Sequence, residues 1–290
     1  MNRIDLHIHS YYSDDGELSP AEIVRACKRK GLHTIALTDH NSVQGVAEAF
    51  HYGEMLGVQV IPGIEIDCTF AGVNLHLLGY GIDIQNQAFD LLEQAIHQQE
   101  QAVLPQKLAK LQALGLPVDT AAIRQQAGER CVTGEFIAEV MLGNPENKSH
   151  PLLEPYYEGG VRSDLPLLNF YRDYLAQGKP AYVPIEYPTL TAALRLITDS
   201  HGLPVLAHPG ATLPGRLDLL EAIIREGVMG IEVYSNYHSL AQSDDYRQTA
   251  VEHQLFVTGG SDFHGKNKPR IELGMVNSPA PQFFLPGGYQ

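Results

Sequence analysis

The chain has 290 residues, room for a large buried core and long enough for an α/β barrel carrying an insertion. Its 34 acidic against 20 basic residues set a formal net charge of −14, a surface that repels polyanions and excludes broad binding to nucleic-acid backbone, so any phosphate chemistry needs a local reversal of field. Three widely spaced cysteines, Cys27, Cys68 and Cys131, make neither a disulfide framework nor a thiolate zinc knuckle and read as reduced core residues; with no leader-like start and no run of about 18 apolar residues, the expected location is the cytoplasm.

The first element is the strand Ile4-Asp5-Leu6-His7-Ile8-His9. Strand alternation puts Ile4, Leu6 and Ile8 on one face and Asp5, His7 and His9 on the other. Packing does not call for two imidazoles on one face of an Ile/Leu strand, whereas a metal ion requires convergent neutral imidazoles on a rigid element. Ser13-Asp14-Asp15-Gly16 then breaks the strand into a loop. Ser19-Pro20 opens a helix whose buried stripe is Ile23, Ala26 and Cys27 and whose end is Gly31. The strand Thr34-Ile35-Ala36-Leu37-Thr38 stops at Asp39-His40-Asn41, and a second helix over about 43–56 leads into strand residues 58–63 and then Ile64-Glu65-Ile66-Asp67. Successive β-α-β units predict a parallel sheet whose ligands gather at the carboxyl ends of the strands.

Ala71-Gly72 predicts a tight hairpin turn between Cys68-Thr69-Phe70 and Val73-Asn74-Leu75-His76-Leu77-Leu78. With a two-residue turn, Asp67 sits opposite His76, and Glu65 lies diagonally across from His76 on the same face. Cys68 alternates away from Glu65 and reads as core.

From about residue 86 the strands give way to helical sequence through Leu92, Ile96, Val103, Leu108 and Leu111, then Ile137 to Met141 and a Pro- and Tyr-rich stretch over 151–174. Residues 100–178 are predicted to be a helical insertion with its own small core, covering one side of the site, between barrel parts at 1–99 and 179–276; residues 277–290 form a tail. The β-α pattern resumes with a strand at Ala181-Tyr182-Val183, a helix over 191–200, and a strand ending in Leu206-Ala207-His208-Pro209. A helix over 218–226, the strand Gly230-Ile231-Glu232-Val233-Tyr234 and a last strand over 255–260 follow, the last running into Ser261-Asp262-Phe263-His264.

At or just past strand ends stand His7, His9, Asp14, Asp39, His40, Glu65, His76, His208, Asp262 and His264. These are ligand types of zinc, manganese and iron, too many for one tetrahedral site, so a cluster of two or three divalent ions is expected. The motifs His7-Ile8-His9, Thr38-Asp39-His40, Ala207-His208-Pro209 and Ser261-Asp262-Phe263-His264, with Glu65 and His76 between them, resemble those of the polymerase and histidinol phosphatase (PHP) family. The resemblance implies a distorted (β/α)7 barrel with an inserted helical domain and a trinuclear site. It implies that His7, His9, Glu65 and Asp262 hold one ion, that Glu65 bridges to a second completed by His76 and His208, and that Asp14, His40 and His264 hold the third. Asp5, Asp39 and Glu232 are expected to orient imidazoles.

Three divalent ions bring about +6, and Asp14, Glu65 and Asp262 return about −3, leaving a centre of about +3 suited to a phosphate dianion. The expected chemistry is metal-dependent phosphoester hydrolysis by a metal-bridging hydroxide, without a covalent intermediate. The insertion resembles one branch of the family, which includes nucleoside 3′,5′-bisphosphate phosphatases, 5′-to-3′ RNA trimming enzymes and a phosphodiesterase acting on phosphorylated ribose 1,2-cyclic phosphate. Where nucleotide-cleaving members carry Arg and His at the insertion's helix start, this chain has Thr133-Gly134-Glu135-Phe136, and Ala211 replaces an Arg after Gly210. Both departures count against the bisphosphate reading. The expected substrate is a small phosphorylated sugar or nucleoside, a cyclic phosphodiester such as 5-phosphoribosyl 1,2-cyclic phosphate being the attractive case. The alternatives are the bisphosphate or RNA-trimming activity and, from another class, a non-catalytic metal-binding regulator.

Lys266, Lys268, Arg270 and Arg216 either hold a second phosphate or belong to solvated loops. His33, His51, His97, His150, His201, His238 and His253 read as surface or half-buried histidines, and Tyr156, Tyr157 and Tyr171 as packing within the insertion.

Overall fold

The computed structural model describes residues 4–128, 130–213 and 215–276. The expected tail, 277–290, with its Phe283-Phe284-Leu285-Pro286-Gly287-Gly288, lies outside the described residues. The chain divides into two compact units: the described residues of Met1–Glu93, Tyr187–Gly265 and Ile271–Gln290 form one, and those of Gln94–Glu186 and Lys266–Arg270 the other.

Seven strands make the first unit's sheet in strict chain order: β1 (Ile4–Ile8), β2 (Thr34–Leu37), β3 (Gln59–Phe70), β4 (Val73–Tyr80), β5 (Leu203–Leu206), β6 (Gly230–Tyr234) and β7 (Phe256–Gly259). All neighbouring pairs are parallel except those of β4, which runs antiparallel to β3 and to β5. The chain just past β7 returns to β1: Asp262 N–H donates to His7 O at 2.8 Å, and His9 N–H donates to Phe263 O at 3.0 Å. That seam curls the sheet into a distorted (β/α)7 barrel in which the β3–β4 hairpin replaces one crossover.

The helices follow from local chemistry. Helix α1 (Pro20–Lys30) has a Ser19/Glu22 capping box, Pro at its first turn and Gly31 as a left-handed cap; α2 (Val46–Leu56) starts three residues later than the sequence suggests and ends at Gly57. Helix α3 spans Ala88–Ala113, and residues Gln94–Glu186 fall in the second unit. It contains α4 (Thr120–Ala127), α5 (Gly134–Gly143) and α6 (Pro166–Phe170) around a core of Leu108, Leu111, Ile123, Ile137 and Phe170. Tyr156 belongs to that core, and Tyr157 and Tyr171 pack against it. The first unit resumes with α7 (Leu190–Asp199), α8 (Pro209–Thr212), α9 (Leu217–Glu226) and α10 (Leu240–Glu252). The Ser239/Gln242 capping box that opens α10 is legible in the sequence, although no helix is predicted there.

Two expectations fail for identifiable reasons. Ala181-Tyr182-Val183 is irregular, not a strand; Pro180 and Pro184 flank it, and prolines cannot donate to a ladder. In β1 the register shifts between Asp5 and Ile8, so alternation does not hold along the whole strand. Leu6 belongs to the cluster of Ala36, Ile61 and Val205, whereas Ile8 belongs to that of Ile23, Val24 and Cys27. No helix among the described residues is long and apolar enough to cross a membrane.

Candidate metal centre

Parallel strands deliver their last side chains to one rim, and the site is assembled there. His7 comes from β1 and His9 from just past it, His40 from the loop after β2, Glu65 from β3, His76 from β4, and His208 from just past β5, with Glu232 in β6 and Asp262 and His264 just past β7. The hairpin register pairs Asp67 with His76, as the two-residue turn requires. Gly260 makes room for the arrangement, because a Cβ there would stand 2.3 Å from that of His7.

Glu65 is the hub. Its Oε2 lies 3.0 Å from His7 Nε2, 3.1 Å from His9 Nε2 and 3.5 Å from His40 Nδ1. Its Oε1 lies 3.0 Å from His76 Nδ1 and 3.0 Å from His208 Nε2. Asp262 Oδ1 is 3.4 Å from His7 Nε2 and 3.1 Å from His9 Nε2, and Asp15 Oδ2 is 3.1 Å from His264 Nε2. His7, His9, Glu65 and Asp262 therefore make one group of potential ligand atoms within 4.8 Å of one another, and His9, Asp15, His40 and His264 make another.

The structure brings Asp15 to this second group in place of the expected Asp14. Asp14 caps a one-turn helix at φ 57° and is exposed, whereas the next residue turns back toward the site as Gly16 packs on Ser10, where a Cβ would stand 1.9 Å from the carbonyl oxygen. Asp67 also belongs here, and the sequence reading passed it over. Its Oδ1 lies 3.2 Å from His76 Nε2 and 3.5 Å from His40 Nδ1, while Asn41 Nδ2 donates to its Oδ2 at 2.7 Å. Two residues past Glu65 on a strand it shares that residue's face, which is the signal that would have found it.

Of the three expected orienting carboxylates, Glu232 orients an imidazole. It accepts from His7 Nδ1–H at 2.9 Å with Oε1 and from the His208 N–H at 2.8 Å with Oε2. Asp5 instead accepts backbone N–H groups of His7, Ser261 and Gly274, because the irregularity in β1 takes it off the His7 face. Asp39 accepts from the Ser10 N–H and hydroxyl. Burial pushes these two carboxyls up, Asp5 to about 6 and Asp39 to about 7, against the donors they accept from.

The metal-free electrostatics are those of a site built to be neutralised from outside. His7, His9, Glu65 and His264 are buried. Burial lowers His9 to about 3, with the neighbouring His264 adding to the shift. Burial also opposes charge on His40 and His7, but Glu65 and the surrounding carboxylates outweigh it, raising His40 to about 9 and His7 well above the usual imidazole value. His9 Nε2, His40 Nδ1 and His264 Nε2 are buried nitrogens without a hydrogen bond, and a carboxylate stands beside each of them. Lone pairs aimed at a common point explain this better than N–H donors do. The separations of 3.0–3.5 Å around Glu65 are also those of neighbouring ligand atoms around one ion with bonds of about 2.0–2.2 Å. The donor set fits divalent metal ions.

Three of the four singled-out cations stand beside acidic partners. Arg216 forks onto Asp218, Lys266 pairs with Glu139, and Arg270 stands 3.9 Å from Asp164. Lys266, Lys268 and Arg270 belong to the second unit. His238, read as a surface or half-buried histidine, is instead fully buried: Nδ1–H donates to Val233 O at 2.8 Å, and Nε2 accepts from the Gly210 N–H at 3.0 Å.

The family profile for the PHP domain matches residues 5–141. Over 287 residues the chain is 31% identical to a 3′,5′-nucleoside bisphosphate phosphatase of Chromobacterium violaceum, covering 97% of this chain and 94% of that protein. It is 30% identical over 265 residues to a phosphoribosyl 1,2-cyclic phosphate 1,2-diphosphodiesterase of Eggerthella lenta, covering 90% and 94%. Among solved structures, an amidohydrolase from Chromobacterium violaceum with bound sulfate and no metal superposes with a TM-score of 0.79 at 27% identity, covering 97% of this chain and 93% of that one. Taken with the imidazole and carboxylate cluster at the barrel rim, these likenesses show that the chain belongs to the PHP family and is a metal-dependent phosphoesterase.

Proposed function

We propose that this protein hydrolyses a phosphoester of a small phosphorylated sugar or nucleoside, the favoured case being a ribose cyclic phosphodiester opened to its monoester and then dephosphorylated. His7, His9, Glu65 and Asp262 would hold one divalent ion, Glu65 with His76 and His208 a second, and Asp15, His40 and His264 a third, with manganese, zinc or iron as the metals. The observation that carries this reading is the division of Glu65, which faces His7 and His9 with one oxygen and His76 and His208 with the other. Bound ions would supply Lewis acidity toward phosphate oxygens and a nucleophile from water at neutral pH.

The chain's own residues do the rest. Glu232 fixes the His7 tautomer and so directs Nε2 inward. Buried His9 and His264 keep bulk water from the floor of the site, while His76, with a side chain 30% exposed, and Asp67, at 18%, mark its open side. Cys68 is buried in the core and its thiol is pushed well up by that burial, so it is no nucleophile.

The Eggerthella relative acts on a phosphoribosyl cyclic phosphate, and the solved Chromobacterium relative binds sulfate, a tetrahedral dianion like phosphate. Thr133 caps α5, its hydroxyl accepting from the Phe136 N–H at 3.1 Å, and Ala211 follows His208 in α8, so neither position supplies the cation of the nucleotide-cleaving pattern. The second reading, a nucleoside 3′,5′-bisphosphate phosphatase, is favoured by the 31% identity to the Chromobacterium enzyme. A panel of cyclic phosphates, monoesters and bisphosphates assayed with manganese separates the two. Phosphate release from the cyclic substrate and its monoester is expected, and exclusive turnover of bisphosphates would replace the first reading with the second.

A further inference from the structure

One oxygen of Asp262 faces the imidazoles and the other faces Tyr237. Oδ1 points toward His7, His9 and His264, at 3.4, 3.1 and 3.4 Å. Oδ2 accepts from the Tyr237 hydroxyl at 2.6 Å. Tyr237 lies in the turn after β6, half-buried, and its ring meets that of His208 edge-on with centroids 5.5 Å apart. One side chain thus touches two of the proposed ligands, on two different strand ends.

Both of those ligands stand on unusual backbone, with φ of 57° at Asp262 and 22° at His208. Non-glycine residues adopt such angles only where their surroundings hold them. The turn bearing Tyr237 is itself held: Asn236 Nδ2 donates to Ser261 O at 2.8 Å and to Met275 O at 2.9 Å, and His238 ties Val233 to Gly210. The phenol is therefore delivered to Asp262 from a fixed base.

We propose that Tyr237 is a positioning residue of the metal centre. By donating to Oδ2 it confines Asp262 to single-oxygen ligation through Oδ1, and by its ring edge it sets the plane of the His208 imidazole. A carboxylate free to swing both oxygens onto an ion would occupy a position that substrate or water must use. This role rests on the metal-centre reading above.

Tyr237→Phe keeps the ring and removes only the hydroxyl. Mn2+ binding to metal-free wild type and to Tyr237→Phe, measured by competition with a chelator and by the electron paramagnetic resonance spectrum of the bound ion, tests the role. The variant is expected to bind its tightest Mn2+ at least about tenfold more weakly, with a changed spectrum and a metal-free melting temperature like that of wild type. Equal affinity with an unchanged spectrum overturns the role, as does a lowered metal-free melting temperature with intact affinity, which would make Tyr237 purely structural. Wild type that takes up no Mn2+ brings down the metal centre and this role together, whereas wild type that loads beside an equally loaded variant brings down only the role of Tyr237.

Discussion

His7 donates from Nδ1 to Glu232 Oε1 at 2.9 Å, and this bond turns its Nε2 toward Glu65 Oε2, 3.0 Å away. Glu232 comes from β6 and His7 from β1, so the bond reaches across the seam past β7 and couples closure to the orientation of a ligand. The other Glu232 oxygen accepts from the His208 N–H. A glutamine there must set an NH2 donor against one of two donors. Glu232→Gln is expected to cost about 1–3 kcal/mol of stability, read by denaturant titration of the metal-free protein, and about 10–100-fold in Mn2+ affinity. Wild-type values for both would remove Glu232 from the account.

The loop after β1 offers two adjacent acids, and the structure chooses between them. Asp15→Asn is expected to weaken Mn2+ binding at the His40 and His264 group and to lower phosphoesterase activity at least about tenfold. Asp14→Asn, at an exposed position, should keep activity within about twofold. The reverse pattern in parallel assays would restore Asp14 as the ligand.

Much of this site was legible in the sequence because strands impose simple rules. The His7 and His9 pair, and the meeting of Glu65 with His76, follow from alternation and from the hairpin register. What was missed lies where those rules stop. The register shift between Asp5 and Ile8 removes Asp5 from the imidazoles, and the choice of Asp15 over Asp14 depends on one left-handed residue. Tyr237 and His238 sit in a turn with no spacing pattern, so neither contact nor burial was foreseeable. Asp67 is legible by the same rules, since it shares the Glu65 face of β3 and pairs with His76 across the hairpin.

His238 is expected to give the fold a pH dependence. Burial lowers its pKa below the usual imidazole value, against the carbonyl of Val233 that favours the proton. The unfolded chain then binds a proton that the folded chain resists, so this group contributes stability above pH about 6.5 and loses it as pH falls through the depressed folded value. Protonation also turns Nε2 into a donor facing the Gly210 N–H, beside the His208 loop. Denaturation midpoints taken between pH 7 and 5 are expected to fall less steeply for His238→Gln than for wild type; identical slopes would contradict the assignment.

Lys266 and Arg270 are already matched by Glu139 and Asp164, and Arg216 by Asp218. Exposed pairs of this kind are worth no more than about 1 kcal/mol, and their partners hold the charge locally neutral. Lys266→Ala and Arg270→Ala are therefore expected to leave KM for a doubly phosphorylated substrate within about twofold. A rise of about tenfold or more would make them the second phosphate's binding residues.

The central claim is that Glu65 and its ring of imidazoles and carboxylates hold several divalent ions that carry out phosphoester hydrolysis. Stripping the protein with chelator and titrating Mn2+ back, with bound metal and released phosphate measured in the same samples, tests it most directly. Two or three ions per chain are expected, with activity returning in step as they bind. Hydrolysis that persists in excess chelator, or a chain that takes up no metal, would contradict it.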